Sequence, residues 1–241
     1  MSGAAAAGSA AGVGRGAPVR LGVLISGGGT NLQAIIDRIA AGTLDATVEL
    51  VISSRPSAYG LKRAEAAGIK TMALSKEAYR DPLTVDERIA SALKDANVDY
   101  VIMAGYMRMV HAPILDAFKN RVVNLHPALL PSFKGAHAIQ DAYNYGVKVT
   151  GVTVHFADER YDCGPIIAQR PLVVEEGWSV AELEAHIHEV EHELYPDVIQ
   201  LLAEGRVHVG ADGRVVVDPA HYADRITSLV GAQRCARLLD C

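Results

Sequence analysis

Apolar runs of strand length alternate with amphipathic helical patterns along the first half of this chain. The strand-like runs span residues 19–26, 47–54, 71–75, 99–105 and 121–125. Runs that are continuously rich in valine and isoleucine are typical of strands buried on both faces, as in parallel sheets. Because parallel neighbours need a crossover connection, the alternation predicts an α/β fold with a doubly wound, mostly parallel sheet.

Two further strand-like runs, 147–157 and 165–174, come after the alternating part. The first alternates in polarity, as a strand with one exposed face does. We expect both runs to join the same sheet, and antiparallel pairing, which stays open, would make the sheet mixed. A long helix is predicted over 179–205, with Ser179 and Glu182 forming a capping box at its start.

Composition and length suit one α/β domain. The chain has 241 residues, of which 50% are hydrophobic and 21% charged. Residues 1–18 are almost all alanine, glycine and serine, which predicts a flexible tail. Residues 19–218 are predicted to form a single domain that ends in a hairpin over 206–218, and 219–241 to form a C-terminal extension.

Charge and cysteine content narrow the class of protein. A net charge of −5 argues against a nucleic-acid partner, because phosphate binding requires a clustered basic face. The odd set Cys163, Cys235 and Cys241 contains no CxxC and favours a reducing compartment, so a cytoplasmic location is expected. No run of 18 consecutive apolar residues occurs, so we expect no membrane span.

A glycine-rich turn, SGGGTNLQ at 26–33, joins the first strand to the first helix. Glycines let the backbone approach a ligand closely, and the free N–H groups at a helix start favour an anion. Thr30 or Asn31 is expected to cap the helix. The turn fits neither the GxGxxG nor the GK[ST] pattern. A phosphate site is favoured over a plain turn and cap.

The stretch VVNLHPALLPSFKG at 122–135 delivers Asn124 and His126 from a strand into a loop stiffened by Pro127 and Pro131. In an extended chain these two side chains project to one side. An amide and an imidazole aimed together suit a developing oxyanion. The alternative is a structural strand end with a satisfied histidine.

The stretch VTVHFADERYDCGP at 152–165 carries further polar candidates. Alternation places His155 opposite Val154 and Phe156, the expected core face, and a lone strand histidine is more often structural. Asp162 lies in a turn and could accept a proton or orient His126, although an ordinary turn aspartate fits equally well.

Cys163 is a candidate nucleophile, but its neighbours in sequence are mostly acidic, whereas a reactive thiolate needs positive surroundings. Covalent catalysis by Cys163 is therefore disfavoured.

The helical stretch HEVEH at 188–192 matches the zinc motif HExxH. Glu191 is acidic where such helices usually bury an apolar residue, and no clear third ligand follows. A solvated polar helix face is favoured over a metal site.

Taken together, six motifs in order resemble the folate-dependent glycinamide ribonucleotide formyltransferases of purine biosynthesis: VLISGGGTNLQAII, VIMAGYMRMV, VNLHPALLPSFKG, GVTVHF, DCGPII and EHELYP. The resemblance runs from about Arg20 to about Gly210. It implies a Rossmann-like formyltransferase fold. It also implies direct transfer of a formyl group from 10-formyltetrahydrofolate to the amine of glycinamide ribonucleotide, without a metal. Monomer and homodimer both stay open.

The resemblance also implies residue roles. Asn124 and His126 would donate hydrogen bonds to the oxygen of the tetrahedral intermediate, while Asp162 would keep His126 charged and help to move the proton. The positions that match contacts to the substrate's phosphate and nucleotide are Gly29, Thr30, Asn31, His188 and Glu191. The positions that match folate contacts are Met107, Arg108, Met109, Val110, Asn124, His155, Ala157, Asp158, Glu159, Arg160, Tyr161 and Asp162.

Three departures from the family pattern stand out. Cys163 replaces a small residue, and His188 replaces a lysine or glutamine that contacts the nucleotide. The family's basic folate contact has no counterpart, since Pro82 occupies its place and Arg80 lies nearby. The alternatives are a formyltetrahydrofolate hydrolase, which needs an N-terminal regulatory domain, and another formyl-folate transferase. The methionyl-tRNA enzyme, for example, needs a C-terminal barrel. A silent nucleotide-binding module and a zinc peptidase are the remaining rivals.

Overall fold

The computed structural model describes residues 17–218. The strands are Val19–Ile25 (β1), Ala46–Ser53 (β2), Thr71–Ala73 (β3), Tyr100–Met103 (β4), Val122–His126 (β5), Val149–Phe156 (β6), Ile166–Val173 (β7), Val207–Val209 (β8) and Val215–Val217 (β9). The α-helices are Thr30–Ala40 (α1), Tyr59–Ala66 (α2), Pro82–Asp95 (α3), Ala112–Ala117 (α4), Ala138–Tyr145 (α5) and Val180–Ala203 (α6). The predicted extension and nearly all of the predicted tail lie outside the described residues.

The sheet confirms the predicted α/β architecture. Its seven strands run in the order β3-β2-β1-β4-β5-β6-β7. The first five are parallel, whereas β6 pairs antiparallel with β5 and β7 pairs antiparallel with β6. The β5–β6 register places Asn124 opposite His155 and His126 opposite Thr153. This pairing brings the two site-bearing stretches side by side.

Alternating strand side chains feed two apolar clusters, one on each face of the sheet. In β1, Val23 and Ile25 belong to the cluster that packs against α1, α2 and α6, whereas Leu24 belongs to the cluster under α3 and α4. Each central strand thus offers apolar side chains on both faces, so a layer of helices covers each face of the sheet. Tyr195 of α6 is fully buried, and its hydroxyl lies within hydrogen-bonding distance of the Met103 and Val123 carbonyls.

Strand β6 differs from its prediction. It was expected to expose one face, but only Val149 is exposed and the other seven residues are buried. The polar side chains that produced the alternation, such as Thr150 and Thr153, are buried, and the loop after β5 covers Thr153, whose hydroxyl donates to the Ala128 carbonyl and accepts from the Leu130 N–H. Helices α4 and α5 were not predicted, because their few turns carry a weak periodic signal.

The predicted long helix and hairpin are confirmed. Helix α6 starts at the Ser179–Glu182 capping box and continues through Pro196. Strands β8 and β9 pair antiparallel around a turn that contains Gly213. No helix in the described range combines the length and apolar character that a membrane crossing requires.

The strand order changes direction between β1 and β4. The connection after β1 leads to α1 on one face, and the connection after β4 leads to α4 on the other. Chains that leave neighbouring strands towards opposite faces open a crevice at the carboxyl ends of those strands. The fold therefore predicts a ligand site where β1, β4 and β5 end.

Candidate active site

A cleft of about 650 Å³ opens at these carboxyl ends. Ser26 follows β1, Ala104 follows β4 and Pro127 follows β5, and all three line it. The five residues predicted to contact phosphate and nucleotide also line it: Gly29, Thr30, Asn31, His188 and Glu191. The fold thus gathers residues from α1 and α6 that are about 160 positions apart.

Sequence reasoning missed several residues of this larger cleft: Arg55, His137, Gln140 and Glu184. Arg55 could have been found from its place directly beyond the end of β2, where side chains meet the crevice. His137 and Gln140 belong to the start of α5, which the sequence analysis did not identify.

The glycine turn takes a conformation suited to an anion, but not through the predicted cap. Gly29 is the N-cap residue of α1, with φ 72°, and no side chain caps the helix. The expectation that Thr30 or Asn31 would cap is therefore wrong. Asn31 instead donates through Nδ2 to Glu191 Oε2 at 3.0 Å. The Asn31 side-chain oxygen, the atom that could cap the helix, is buried without a hydrogen-bond partner within residues 17–218, so the N–H groups at the helix start are left for a ligand.

Glu191 organises the far wall of the larger cleft. It is only 3% exposed, so its interpretation as part of a solvated helix face is wrong. His188 Nδ1 lies 2.9 Å from the Glu191 carboxylate, and Glu184 approaches the other ring nitrogen at 3.7 Å. The hydrogen bond to Glu191 raises the pKa of His188 above its usual value. Glu191 thereby holds the His188 ring at the cleft and favours its charged form.

The two histidines of the HExxH stretch face each other. The His188 and His192 rings stack with centroids 6.2 Å apart. Within residues 17–218, no group of three or more histidine, cysteine, aspartate or glutamate side chains is arranged to hold a metal ion.

A second, smaller cleft lies beside β5 and the turn before β7. It is lined by most of the predicted folate residues: Arg108, Met109, Val110, Asn124, His155, Ala157, Asp158, Arg160, Tyr161 and Asp162. Met107 lines the larger cleft instead, and Glu159 lines neither. The volume is only about 40 Å³. Pockets for drug-sized ligands measure about 300–1,000 Å³, so this cleft must widen to hold a pterin.

Arg108 is one of two arginines that line this smaller cleft. Its guanidinium carbon lies 4.5 Å from the centre of the Tyr79 ring, and the Tyr79 hydroxyl contacts the Tyr106 hydroxyl at 2.9 Å. Such a stack restrains the guanidinium. Sequence reasoning had no signal for Tyr79, because its position depends on how the segment before α3 folds back.

His155 fixes the Asn124 amide. The His155 Nδ1 faces the Phe156 carbonyl at 2.9 Å, and a carbonyl only accepts, so Nδ1 carries the proton. Nε2 is then an acceptor, and Asn124 Nδ2 donates to it at 3.1 Å. Burial lowers the pKa of His155, which favours this neutral form. Asn124 is therefore held with a second N–H available.

His126 and Asp162 form a buried pair next to this amide. His126 is 4% exposed and its Nδ1 lies 3.4 Å from Asp162 Oδ2. The same carboxylate oxygen accepts from the Gly135 N–H at 2.9 Å. His126 Nε2 donates to the Phe133 carbonyl at 2.8 Å. Both ring nitrogens thus face acceptors, and the Phe133 carbonyl occupies the Nε2–H donor.

Cys163 has a positive neighbour that sequence reasoning did not anticipate. Lys134 Nζ lies 2.8 Å from Cys163 Sγ, which corrects the expectation of mostly acidic surroundings. The contact joins residues 29 positions apart, so local charge counting could not reveal it. Lys134 and Gly135 together tie the loop after β5 to the Asp162–Cys163 turn.

Comparison with known proteins agrees with this geometry. Residues 19–199 match the family model described as formyl transferase. The phosphoribosylglycinamide formyltransferase of Bacillus subtilis is 38% identical over 75% of this chain and 92% of that protein. The corresponding Escherichia coli protein is 37% identical over 84% of this chain and 98% of its own length. The trifunctional purine biosynthetic protein adenosine-3 of Homo sapiens is 40% identical, but this chain spans only 19% of it.

Solved structures match equally well. The crystal structure of glycinamide ribonucleotide transformylase 1 from Symbiobacterium toebii has a TM-score of 0.81 and 46% identity. The match covers 84% of this chain and 95% of that one. Both the sequence and the fold therefore match over most of the length of these formyltransferases. The chain belongs to the phosphoribosylglycinamide formyltransferase family.

Proposed function

We propose that this protein transfers the formyl group of 10-formyltetrahydrofolate to the amine of glycinamide ribonucleotide, a step of purine biosynthesis. Family membership supports the reaction class, and the site supports the chemistry. Residues 19–218 form the catalytic unit in this proposal, acting in the cytoplasm as a monomer or homodimer.

One observation carries the proposal: the two clefts meet at the end of β5. Asn124 lines the smaller cleft, whereas Leu125 and Pro127 line the larger one. Asp162 also lines the smaller cleft and pairs with the buried His126, the residue between Leu125 and Pro127. A formyl donor in the smaller cleft and an amine acceptor in the larger cleft would therefore come together beside the same three polar groups. Binding both substrates side by side lowers the entropic part of the activation barrier.

Asn124 and His126 would stabilise the tetrahedral intermediate. The amine lone pair attacks the formyl carbon, a C–N bond forms, and the carbonyl electrons move to oxygen. The free Asn124 N–H is already oriented by His155. A His126 N–H would supply the second donor once it exchanges the Phe133 carbonyl for the oxyanion. One such preorganised donor is typically worth about 2.7–4 kcal/mol.

Asp162 would handle the proton. The attacking amine loses a proton as the new bond forms, and N10 of the folate gains one as its bond to the formyl carbon breaks. The Asp162 carboxylate faces His126 at 3.4 Å and borders the smaller cleft, so it can accept and return that proton. Before it takes the proton, the carboxylate would pair with His126 and hold its ring in place.

The larger cleft would hold the ribonucleotide. The N–H groups at Gly29 and the start of α1 would bind its phosphate, and His188 with Glu191 would contact the remainder of the nucleotide. The folate would enter the smaller cleft beside Arg108, Met109 and Val110. No step in this scheme requires a metal or a cysteine nucleophile.

A spectrophotometric assay tests the proposal. The protein is mixed with a 10-formyl folate and glycinamide ribonucleotide, and release of the deformylated folate is followed by absorbance. We expect a signal that depends on the ribonucleotide. A signal of equal size without the ribonucleotide would make the protein a hydrolase, and folded protein without signal in either mixture would refute formyl transfer to this acceptor.

A further inference from the structure

The glycine turn is fastened from behind by helix α2. Gly60 N donates to the Gly27 carbonyl at 3.0 Å. Arg63 Nε donates to the next carbonyl, that of Gly28, at 2.9 Å. The same guanidinium reaches Gln33 Oε1 on α1 at 3.1 Å. Two successive carbonyls of the turn are thus fixed by donors from one short helix.

This arrangement decides which way the turn's N–H groups point. In a trans peptide the carbonyl and the following N–H point in opposite directions. With the Gly27 and Gly28 carbonyls directed at α2, the Gly28 and Gly29 N–H groups are directed away from it. Neither N–H has a hydrogen-bond partner within residues 17–218. Both glycines line the larger cleft, whereas Gly60 and Arg63 do not.

Close packing reinforces the fastening. A Cβ on Gly29 would lie 2.6 Å from the Gly60 Cα, and a Cβ on Gly60 would lie 2.6 Å from Ile25 Cδ1. In contrast, a Cβ on Gly27 or Gly28 would meet nothing within 4 Å. The back of the turn is therefore sealed against α2, and its front is open. Tyr59 holds the Arg63 guanidinium in place, with the ring centre 5.1 Å from its central carbon.

We infer that Arg63 is a positioning residue for substrate phosphate: by holding the Gly28 carbonyl, it aims the turn's N–H groups into the larger cleft. Arg63 does not touch the substrate in this scheme, because its guanidinium contacts the Gly28 carbonyl from the side of α2. The inference rests on the proposed function only in naming glycinamide ribonucleotide as the phosphate ester.

The test removes the donor and asks whether the loss depends on phosphate. Arg63→Met is compared with Lys62→Met, which removes the same charge from the exposed neighbouring position of the same helix. Each variant is titrated calorimetrically, without folate, with glycinamide ribonucleotide and with the phosphate-free glycinamide riboside. Formyl-transfer kinetics and thermal unfolding are measured in parallel. Arg63→Lys, which keeps one donor, serves as the milder change if Arg63→Met unfolds.

We expect Arg63→Met to raise the Kd and KM of the ribonucleotide by about tenfold or more, with kcat within about threefold of the wild type. The riboside Kd should not change, Lys62→Met should behave as the wild type, and Arg63→Lys should fall between. Equal weakening of ribonucleotide and riboside would mean a general structural role and would overturn the inference, as would unchanged ribonucleotide binding. If the wild type binds the ribonucleotide in this pattern but transfers no formyl group, the proposed function fails and the inference stands.

Discussion

Replacing His155 tests whether orientation of one amide limits the reaction. His155→Leu is close in volume and apolar, and it removes the acceptor that holds Asn124 Nδ2 at 3.1 Å. The structural cost is that of two hydrogen bonds, because the Phe156 carbonyl also loses its imidazole donor, and each buried polar group left unsatisfied costs about 1–3 kcal/mol of unfolding free energy. The catalytic cost has a separate ceiling: a preorganised oxyanion donor is worth about 2.7–4 kcal/mol, or about 10²–10³ in kcat.

The matched change is His155→Gln. Glutamine can place its side-chain oxygen near the position of the imidazole Nε2, so it keeps an acceptor for Asn124. One neutral hydrogen bond contributes about 0.5–1.5 kcal/mol, so this variant should stay within about tenfold of wild-type kcat. The wild-type acceptor is stable to moderate acid, because burial lowers the pKa of His155 and keeps the ring neutral.

The decisive comparison is a double-mutant cycle with Asn124→Ala, measured as kcat in the ribonucleotide-dependent absorbance assay. If His155 acts only through Asn124, the double variant with His155→Leu should be no slower than Asn124→Ala alone. Multiplicative losses would show that His155 acts by another route. A folded His155→Leu protein with near-normal kcat would refute the reasoning altogether.

Three further outcomes are expected. Asp162→Asn should lower kcat at least about 100-fold in single-turnover assays, because His126 loses its carboxylate partner; a folded variant with normal kcat would contradict the assigned role. His188→Gln should raise the KM for the ribonucleotide more at low pH than at high pH. The raised pKa of His188 means that its charge, favoured by Glu191, is present at lower pH and is lost as the pH rises through that value. A ratio of variant to wild-type KM that does not change with pH would contradict a role for the His188 charge in binding the ribonucleotide. Cys163→Ala should keep kcat within about threefold, since the mechanism uses no thiol; a folded but inactive variant would restore the covalent alternative despite the Lys134 contact.

The sequence by itself determined the architecture and the type of chemistry. Strand-length apolar runs separated by helical periodicity allow little except a doubly wound sheet, because each run must bury both faces. The Ser179–Glu182 cap could be predicted because its sequence signal lies within one helical turn. The placement of Asn124 and His126 on one side of β5 could be predicted because side chains alternate along a strand.

Only the tertiary structure decided contacts between residues distant in sequence. The Asn31–Glu191 bond spans 160 positions, and the Lys134–Cys163 contact joins two loops whose approach no local pattern encodes. The exposure of one face of β6 was predicted wrongly for a related reason, since its threonines are buried by segments that no local sequence pattern identifies. Arg63 carries no motif, yet its bond to the Gly28 carbonyl sets the direction of the glycine turn. Propensity and alternation act over a few residues, whereas the approach of helix, loop and strand depends on how the whole sheet is covered.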